Sequence, residues 1–324
     1  MSVRVSSGNV SATVHRRGGM VTATFAVGGV TVSPLHEAPW AGYPADPLLD
    51  QLKGDFVCVP FGIAPASLAA FPPEWAELAP GKTQYGHGYA ATHEWEVEHI
   101  GAGSARLRVQ YPDDDPVEWV AREVSCTDSG VEVRDEVAVL RDARLPLGLH
   151  PMLHLPGRAG GARLVPPACE AIVTFPAPVD ASSILQPNAA VADLASAPLQ
   201  SGGTIDLTSL PLAVNTEELL MLCNVTTSSA RLDNHEEGYR VTLSWDSTLL
   251  KHCLLWFSNR GRSTAPWDGR NLCLGIEPVT SAFDLGTVIS TTANPLSTQG
   301  LSTAVDLGAG QVHSVSHTLS VEPL

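Results

Sequence analysis

Alternating apolar and polar positions dominate the chain and predict β-strands. Period-two segments that are joined by glycine-rich or Asp-Ser-Gly turns are typical of β-hairpins. The clearest alternating segments are residues 10–16, 21–27, 93–100, 105–111, 117–126, 130–140 and 239–245. Arg17-Gly18-Gly19 separates the first two, and Thr127-Asp128-Ser129-Gly130 links 117–126 to 130–140. The sequence therefore predicts many short antiparallel strands.

Helical periodicity is nearly absent. Residues 74–78 and 217–222 could each form one short helical turn, but 25 prolines and 28 glycines interrupt the longer windows. Many strands with few helices predict the all-β class, as a large antiparallel β-sandwich or barrel with few short helices. Residues 176–203, rich in Ala, Ser and Pro, are interpreted as a surface excursion. Strand patterns resume on both sides, so one domain is expected to span residues 1–324.

The charge balance narrows the class of partner. The 324 residues carry a formal net charge of -15, from 34 acidic and 19 basic residues. Such a surface repels phosphate backbones and anionic lipid headgroups. We expect no nucleic-acid or membrane partner, and neutral small molecules fit better than phosphorylated ones.

The remaining bulk features predict a cytoplasmic protein. The N-terminal residues lack the continuous apolar run of a secretory signal, and no segment approaches a transmembrane span. Six cysteines lie far apart, without a C-x-x-C pair, and are interpreted as buried thiols. The expected assembly is a monomer or a homodimer.

Two closely spaced histidines raise the question of a metal site. His150 and His154 are four residues apart, a spacing that on a helix would suit one metal ion. Pro151 disfavours a helix because the residue before a proline is pushed into extended geometry. Four residues of extended strand span about 13 Å, so no metal site is expected. The two rings could share one cavity or both be structural.

A carboxylate interrupts a later apolar stretch. Glu277 precedes a proline within Cys273–Thr280 and is expected in extended backbone. A carboxylate there is costly unless it is paired, hydrogen-bonded or open to a pocket. Glu277 is thus a candidate functional residue, with a solvent-facing strand end as the alternative. Trp256, in another apolar strand, is interpreted as a core residue.

A histidine between two glycines forms a third candidate. Gly86-His87-Gly88 lies between Tyr85 and Tyr89. Glycines allow close approach of the backbone, and aromatic rings offer flat faces for sugar rings. This segment fits a ligand-binding loop or an ordinary turn.

Three motifs taken together resemble the aldose 1-epimerase (galactose mutarotase) family. They are Gly86-His87-Gly88-Tyr89, Gly148-Leu149-His150-Pro151 and Gly275-Ile276-Glu277-Pro278. With Asp55–Gly62 the likeness runs from about residue 54 to residue 285. The resemblance implies a mutarotase-like β-sandwich with a shallow pocket for a monosaccharide and no cofactor.

The resemblance also implies a role for each motif residue. It makes His150 the general acid, Glu277 the general base and His87 a second histidine that orients the sugar. We expect Glu277 to favour the imidazolium form of His150, so that a protonated donor stands beside an ionised acceptor. The expected substrate-binding residues are Tyr89, Phe61, Asp55 and Asp233, with Glu217 and Glu218 as alternatives to Asp233.

Departures from the family pattern leave other functions open. The asparagine-arginine motif of galactose mutarotases is not evident, and Val59-Pro60-Phe61-Gly62 lies roughly in its place. Ala90-Ala91-Thr92 stands where the hexose-6-phosphate branch carries an arginine. The first alternative is a carbohydrate-binding or sensing protein without turnover. The second is a lyase or glycosidase-related activity, which is disfavoured because glycosidases need two carboxylates and only Glu277 stands out.

Overall fold

The computed structural model describes residues 2–40 and 42–324. Most of the elements in these residues are β-strands. The first twelve are β1 (Ser2–Ser7), β2 (Val10–His15), β3 (Val21–Val27), β4 (Val30–Val32), β5 (Val57–Cys58), β6 (Glu96–Ile100), β7 (Ser104–Gln110), β8 (Val117–Cys126), β9 (Gly130–Val139), β10 (Ala143–Leu145), β11 (Leu147–Leu149) and β12 (Met152–His154). The others are β13 (Ala162–Val165), β14 (Cys169–Thr174), β15 (Ala197–Pro198), β16 (Thr204–Ile205), β17 (Ser209–Leu210), β18 (Thr216–Val225), β19 (Ser229–Asn234), β20 (Tyr239–Trp245), β21 (His252–Asn259), β22 (Leu272–Thr280), β23 (Val305–Leu307) and β24 (Val312–Pro323).

Helices are short. The structure has α1 (Pro73–Ala76), α2 (Gly286–Thr291) and single 3₁₀ turns at Leu49–Gln51, Leu194–Ser196 and Ser297–Gln299. Helix α1 overlaps the helical turn predicted at residues 74–78. Neither helix of the described chain has the length and apolar character needed to cross a membrane.

Two large antiparallel sheets form the sandwich. One has nine strands in the order β17-β13-β19-β20-β24-β9-β8-β7-β6, and the other has seven in the order β14-β18-β21-β22-β11-β5, with β12 also paired to β22. Strands β1 to β4 form a separate sheet whose first two strands contact β7 and β8. The all-β prediction is confirmed.

The predicted hairpins are also confirmed, but one helical turn is not. Antiparallel pairing joins β2 to β3, β6 to β7 and β8 to β9. Residues 217–222, predicted as a possible helical turn, lie within β18 and pair with β14 and β21. Both faces of β18 are buried, so its apolar residues run on without the alternation that marks a half-exposed strand.

The seven-stranded sheet separates two apolar clusters, and this division positions the site. In β22, Leu274 and Ile276 pack into the cluster between the two large sheets. Cys273 and Val279 belong to the cluster on the opposite face, together with Trp75 of α1. Glu277 shares the parity of Cys273 and Val279, and successive strand residues point to opposite faces. It therefore points away from the sandwich interior.

The segment at residues 176–203 is more than a surface excursion. Leu185, Val191 and Leu194 are buried and belong to the cluster between the sheets. Its last residues contribute β15, which pairs with β16. Burial of these apolar side chains ties the segment to the fold.

The cysteines are unpaired, as predicted. All six are free thiols, and five of them are buried, Cys169 being half-buried. Burial raises the pKa of Cys58 and Cys253 well above the usual range, so neither thiol is a ready nucleophile.

Candidate active site

A cavity of about 110 Å³ opens on the outer face of the seven-stranded sheet. Its polar walls come from His87, His150, Arg262, Glu277 and Asp284, and its apolar walls include Trp256, Trp267, Leu48, Leu52 and Leu219. Pockets for drug-sized ligands have volumes of about 300–1,000 Å³. This one suits a single small ring better than a chain of sugars.

His150 and Glu277 meet in this cavity because neighbouring strands hold them. Glu277 lies in the middle of β22, between β21 and the β11–β12 segment. His150 lies between β11 and β12, where its backbone N–H donates to the backbone oxygen of Phe56 at 2.9 Å. The distance from Nε2 of His150 to Oε1 of Glu277 is 3.5 Å, and the two side chains are only 7% and 3% exposed.

Burial sets the protonation of this pair. It lowers the pKa of His150 to about 4, which the carboxylate of Asp55 only partly opposes. Burial, with a smaller contribution from Asp284, raises the pKa of Glu277 well above its usual range. Burial therefore favours the neutral imidazole of His150 and the protonated carboxyl group of Glu277. Burial thus disfavours the imidazolium form expected of His150, since desolvation outweighs the attraction of a nearby carboxylate.

Two phenylalanines pack against the two histidines of the cavity. Phe56 stacks on it with ring centroids 4.6 Å apart and planes 15° apart. Phe61, a sequence-predicted substrate-binding residue, is fully buried behind the histidines and contacts the ring of His87 edge to face at 5.0 Å. It therefore supports the cavity from behind.

His87 reaches the cavity from a tight loop. Its φ of 55° lies in the left-handed region, which non-glycine residues seldom adopt and which clusters at functional sites. Gly88 follows with a φ of 92°, and a Cβ at this position would collide with the Val59 backbone. The ring centroids of His87 and His150 are 5.0 Å apart. Burial, then His150 and Arg262, lower the pKa of His87 well below its usual value.

A tryptophan and an arginine form the opposite wall on top of a buried glutamate. Trp256 Nε1 donates to Glu217 Oε1 at 2.6 Å, and Nε of Arg262 lies 3.3 Å from the same oxygen. The Arg262 guanidinium lies 4.6 Å from the centroid of Trp267. Trp256 thus lines the cavity and is not solely a core residue. Glu217 acts behind the wall, where it holds the two side chains that face the cavity.

Arg262 and Asp284 were missed in the sequence because both lie on loops. Arg262 follows β21, and Asp284 lies between β22 and α2. The signal for Asp284 was the one used for Glu277, a lone carboxylate within an apolar run, here Ala282–Leu285. No comparable signal marks Arg262.

The other predicted residues lie outside the cavity. Tyr89 stacks on His93 with centroids 3.5 Å apart and lines a separate depression beside Pro60. Asp233 binds Arg240 on the nine-stranded sheet at 2.6 Å. Glu218 accepts the backbone N–H of Ile184 at 2.6 Å.

Asp55 and His154 also lie apart from Glu277. Asp55 is buried inside the sandwich, 3.2 Å from both Arg122 and His317. His154 is 41% exposed and contacts Glu237, so the two histidines of the His150 segment do not share a cavity. Within residues 2–40 and 42–324, no group of three or more His, Cys, Asp or Glu side chains is arranged to hold a metal ion.

Comparison with solved structures shows the fold. A candidate aldose 1-epimerase from Escherichia coli K12 matches with a TM-score of 0.68 and 15% identity over 100% of this chain and 99% of its own. A galactose mutarotase-like protein from Clostridium acetobutylicum matches with a TM-score of 0.62 and 17% identity over 100% of this chain and 95% of its own. An aldose epimerase homologue from C. elegans matches with a TM-score of 0.64 and 13% identity over the full length of both chains.

Comparison of the sequence alone, without the structure, does not detect this likeness. No protein-family model and no curated protein sequence matches the chain. The likeness therefore rests on the arrangement of the strands over the whole chain, and identities of 10–17% establish fold and nothing finer. The chain has the fold of the aldose 1-epimerase and galactose mutarotase-like proteins.

Proposed function

We propose that the protein is an aldose 1-epimerase that interconverts the α and β anomers of a free monosaccharide. The observation that carries the proposal is the 3.5 Å contact between His150 and Glu277 in a small cavity with aromatic and apolar walls. The fold, shared with mutarotase-like structures, supports it.

Anomer interconversion needs a proton acceptor and a proton donor beside the same carbon. The O1 hydroxyl loses its proton while the ring oxygen O5 gains one, the C1–O5 bond breaks, and C1 becomes an aldehyde. Rotation about C1–C2 presents the other carbonyl face, and the reverse steps close the ring. O1 and O5 are both bonded to C1, so the two catalytic groups must be neighbours, as His150 and Glu277 are. Positioned groups of this kind contribute about 10²- to 10⁴-fold in rate.

One proton shared by the pair is sufficient for this cycle. Burial favours the form in which Glu277 carries this proton, so in the proposed cycle Glu277 donates to O5 and Nε2 of His150 accepts from O1 as the ring opens. Closure returns both protons. This order reverses the roles that the family resemblance implies, and it starts from the same total number of protons. His87, held neutral by burial, orients the sugar beside the pair.

The decisive experiment follows anomer interconversion of freshly dissolved aldoses by NMR. The wild-type protein is compared with Glu277→Gln and His150→Asn, and with His154→Asn as a matched control, since His154 lies four residues away on the surface. We expect the two cavity variants to lose about 10²-fold or more of the rate and His154→Asn to keep it. Thermal unfolding of each variant checks the fold.

A wild-type protein that accelerates no aldose would contradict the proposal. Binding of sugars without rate enhancement would then assign the chain to the carbohydrate-binding alternative.

Glycoside hydrolysis is the second candidate because Asp284 adds a second carboxyl group to the cavity. Glycosidases work through two carboxyl groups on either side of the scissile bond, whereas here Glu277 contacts a histidine. We expect p-nitrophenyl glycosides to stay intact, and release of p-nitrophenol that Asp284→Asn abolishes would favour hydrolysis.

A further inference from the structure

Arg262 presents unused hydrogen-bond donors to the cavity. Its side chain is held by Glu217 through Nε at 3.3 Å and by the faces of Trp267 and Trp256, whose centroids lie 4.6 and 5.8 Å from Cζ. An arginine has five N–H donors in a rigid plane. Among the described residues, neither Nη1 nor Nη2 makes a hydrogen bond to the protein. The side chain is 29% exposed, so these donors are fixed in place and open to a ligand.

Asp284 presents the complementary acceptors. It follows Phe283, whose φ of 50° turns the chain through the left-handed region, and its backbone oxygen accepts the N–H of Ile63 at 2.7 Å. The carboxyl group makes no side-chain hydrogen bond within residues 2–40 and 42–324, yet it lines the cavity. Burial raises its pKa to about 6 against the opposing effect of Arg262, so Asp284 is mostly ionised at neutral pH.

The charges around this wall do not favour an anionic ligand. Glu217 contacts Arg262, and Asp284 lies in the same cavity, so one guanidinium faces two carboxyl groups. The cavity has no surplus positive charge for a phosphate or a carboxylate. A sugar hydroxyl both donates and accepts a hydrogen bond, which matches a donor and an acceptor on one wall.

We propose that Arg262 and Asp284 bind hydroxyl groups of a neutral sugar ring other than O1 and so determine which sugars enter the cavity. This inference rests on the proposed function in taking the ligand as a sugar. It assigns recognition to two loop residues, separate from the proton-transfer pair on and beside β22.

Methyl glycosides test the inference apart from catalysis, because their anomeric carbon is locked and cannot epimerise. Dissociation constants for methyl glycosides of a panel of hexoses are measured by calorimetry for the wild type, Arg262→Gln and Asp284→Asn. Arg108→Gln is the matched control, since Arg108 also lies over a tryptophan, 4.3 Å from the Trp119 centroid, but outside the cavity. We expect each cavity variant to weaken binding about 10-fold or more, as for a lost hydrogen bond to a charged group, and Arg108→Gln to leave it unchanged.

A deoxy-sugar series identifies the hydroxyl groups. Removal of the hydroxyl that Arg262 contacts should weaken binding to the wild type but not to Arg262→Gln, and the same logic applies to Asp284→Asn. Unchanged affinity in both variants would overturn the inference. So would tighter binding of a sugar phosphate that depends on Arg262, because Arg262 would then be an anion site. Failure of every panel sugar to bind also overturns it.

The inference and the proposed function fail in different ways. Methyl glycosides that bind through Arg262 and Asp284 to a protein without epimerase activity would support the inference and contradict the proposed function. An active epimerase whose Arg262→Gln and Asp284→Asn variants bind methyl glycosides as tightly as the wild type would support the proposed function and contradict the inference.

Discussion

At the scale of single residues, the proposed cycle depends on two buried groups. His150 and Glu277 lie 3.5 Å apart, and if they share one proton, as we propose, a second proton or the loss of the first should stop the cycle. His87, Arg262 and Asp284 also face the cavity, and Asp55 affects His150 from the sandwich interior.

The pH dependence of turnover follows from this sharing. Burial lowers the pKa of His150 to about 4, so kcat/KM, which reports the groups of the free enzyme, should fall as the pH drops through about 4 and His150 gains a proton. It should fall again at higher pH as Glu277, whose pKa burial raises well above its usual range, loses its proton. Between these limits kcat/KM should change only through Asp284, whose pKa is about 6, and should be flat in Asp284→Asn. Polarimetry across pH 3.5–10 with circular dichroism at each pH checks this. A fall below about pH 6.5, where an unperturbed histidine titrates, that persists in Asp284→Asn would show that burial does not control His150.

The sequence pointed to residues that lie together in the structure where chemistry and local backbone coincide. His87, His150 and Glu277 were selected by their neighbours in the chain, and all three line one cavity. Asp55, Tyr89 and Asp233 lie elsewhere because a strand pattern does not tell which face of which sheet a side chain will meet. Arg262 gave no signal, since its role depends on Glu217 and two tryptophans brought to it by folding.

At the scale of elements, a glycine allows the loop that carries His87 to pack closely against the backbone of Val59. Gly88 has a φ of 92°, and a Cβ there would overlap Val59. Gly238, with a φ of 76° and open space around the Cβ position, provides a control in which only the backbone conformation opposes alanine.

We expect Gly88→Ala to destabilise the protein more than Gly238→Ala. Gly238→Ala should lower the free energy of unfolding by about 1–2 kcal/mol, because a non-glycine residue is strained in the left-handed region. Gly88→Ala should lower it further because Val59 must also move. Denaturant unfolding measures both. Gly88→Ala should in addition slow epimerisation by displacing His87, while Gly238→Ala should not. Equal unfolding free energies would contradict the close approach at Gly88.

Elements were predicted well where one strand face is polar and poorly where neither is. The β2–β3 and β8–β9 hairpins alternate clearly and formed as expected. Strand β18 is buried on both faces, so its sequence carries no period that separates it from a helix. Long-range pairing with β14 and β21, which a local pattern does not contain, decided its structure.

At the scale of the whole molecule, a buried charge cluster lies inside the sandwich behind the site. Arg122 donates to both oxygens of Asp135 at 2.7 and 2.9 Å, and its Nη1 lies 3.2 Å from Asp55. His317 lies 3.2 Å from the same Asp55 oxygen. These groups join β8, β9 and β24 of one sheet to the chain just before β5 of the other.

Breaking this cluster should weaken the entire fold. Asp135→Asn leaves Arg122 buried without its bidentate partner, and loss of one member of a buried ion pair costs about 3–5 kcal/mol. Asp306→Asn, which removes an exposed partner of Arg144, should change the stability little. Urea unfolding of both variants provides the comparison. Similar midpoints for Asp135→Asn and Asp306→Asn would mean that the cluster contributes no more than a surface pair.

The division of the cavity between strands and loops has a consequence for redesign. Glu277 and its neighbour His150 are anchored by the pairing of β22 with β21 and β12, whereas Arg262 and Trp267 belong to the single connection of residues 260–271. Exchange of that connection replaces one wall of the cavity and leaves the hydrogen-bonded ladder beneath the proton-transfer pair untouched. Under the proposed function, we expect a library confined to these twelve consecutive positions to change which sugars bind while His150 and Glu277 stay in place.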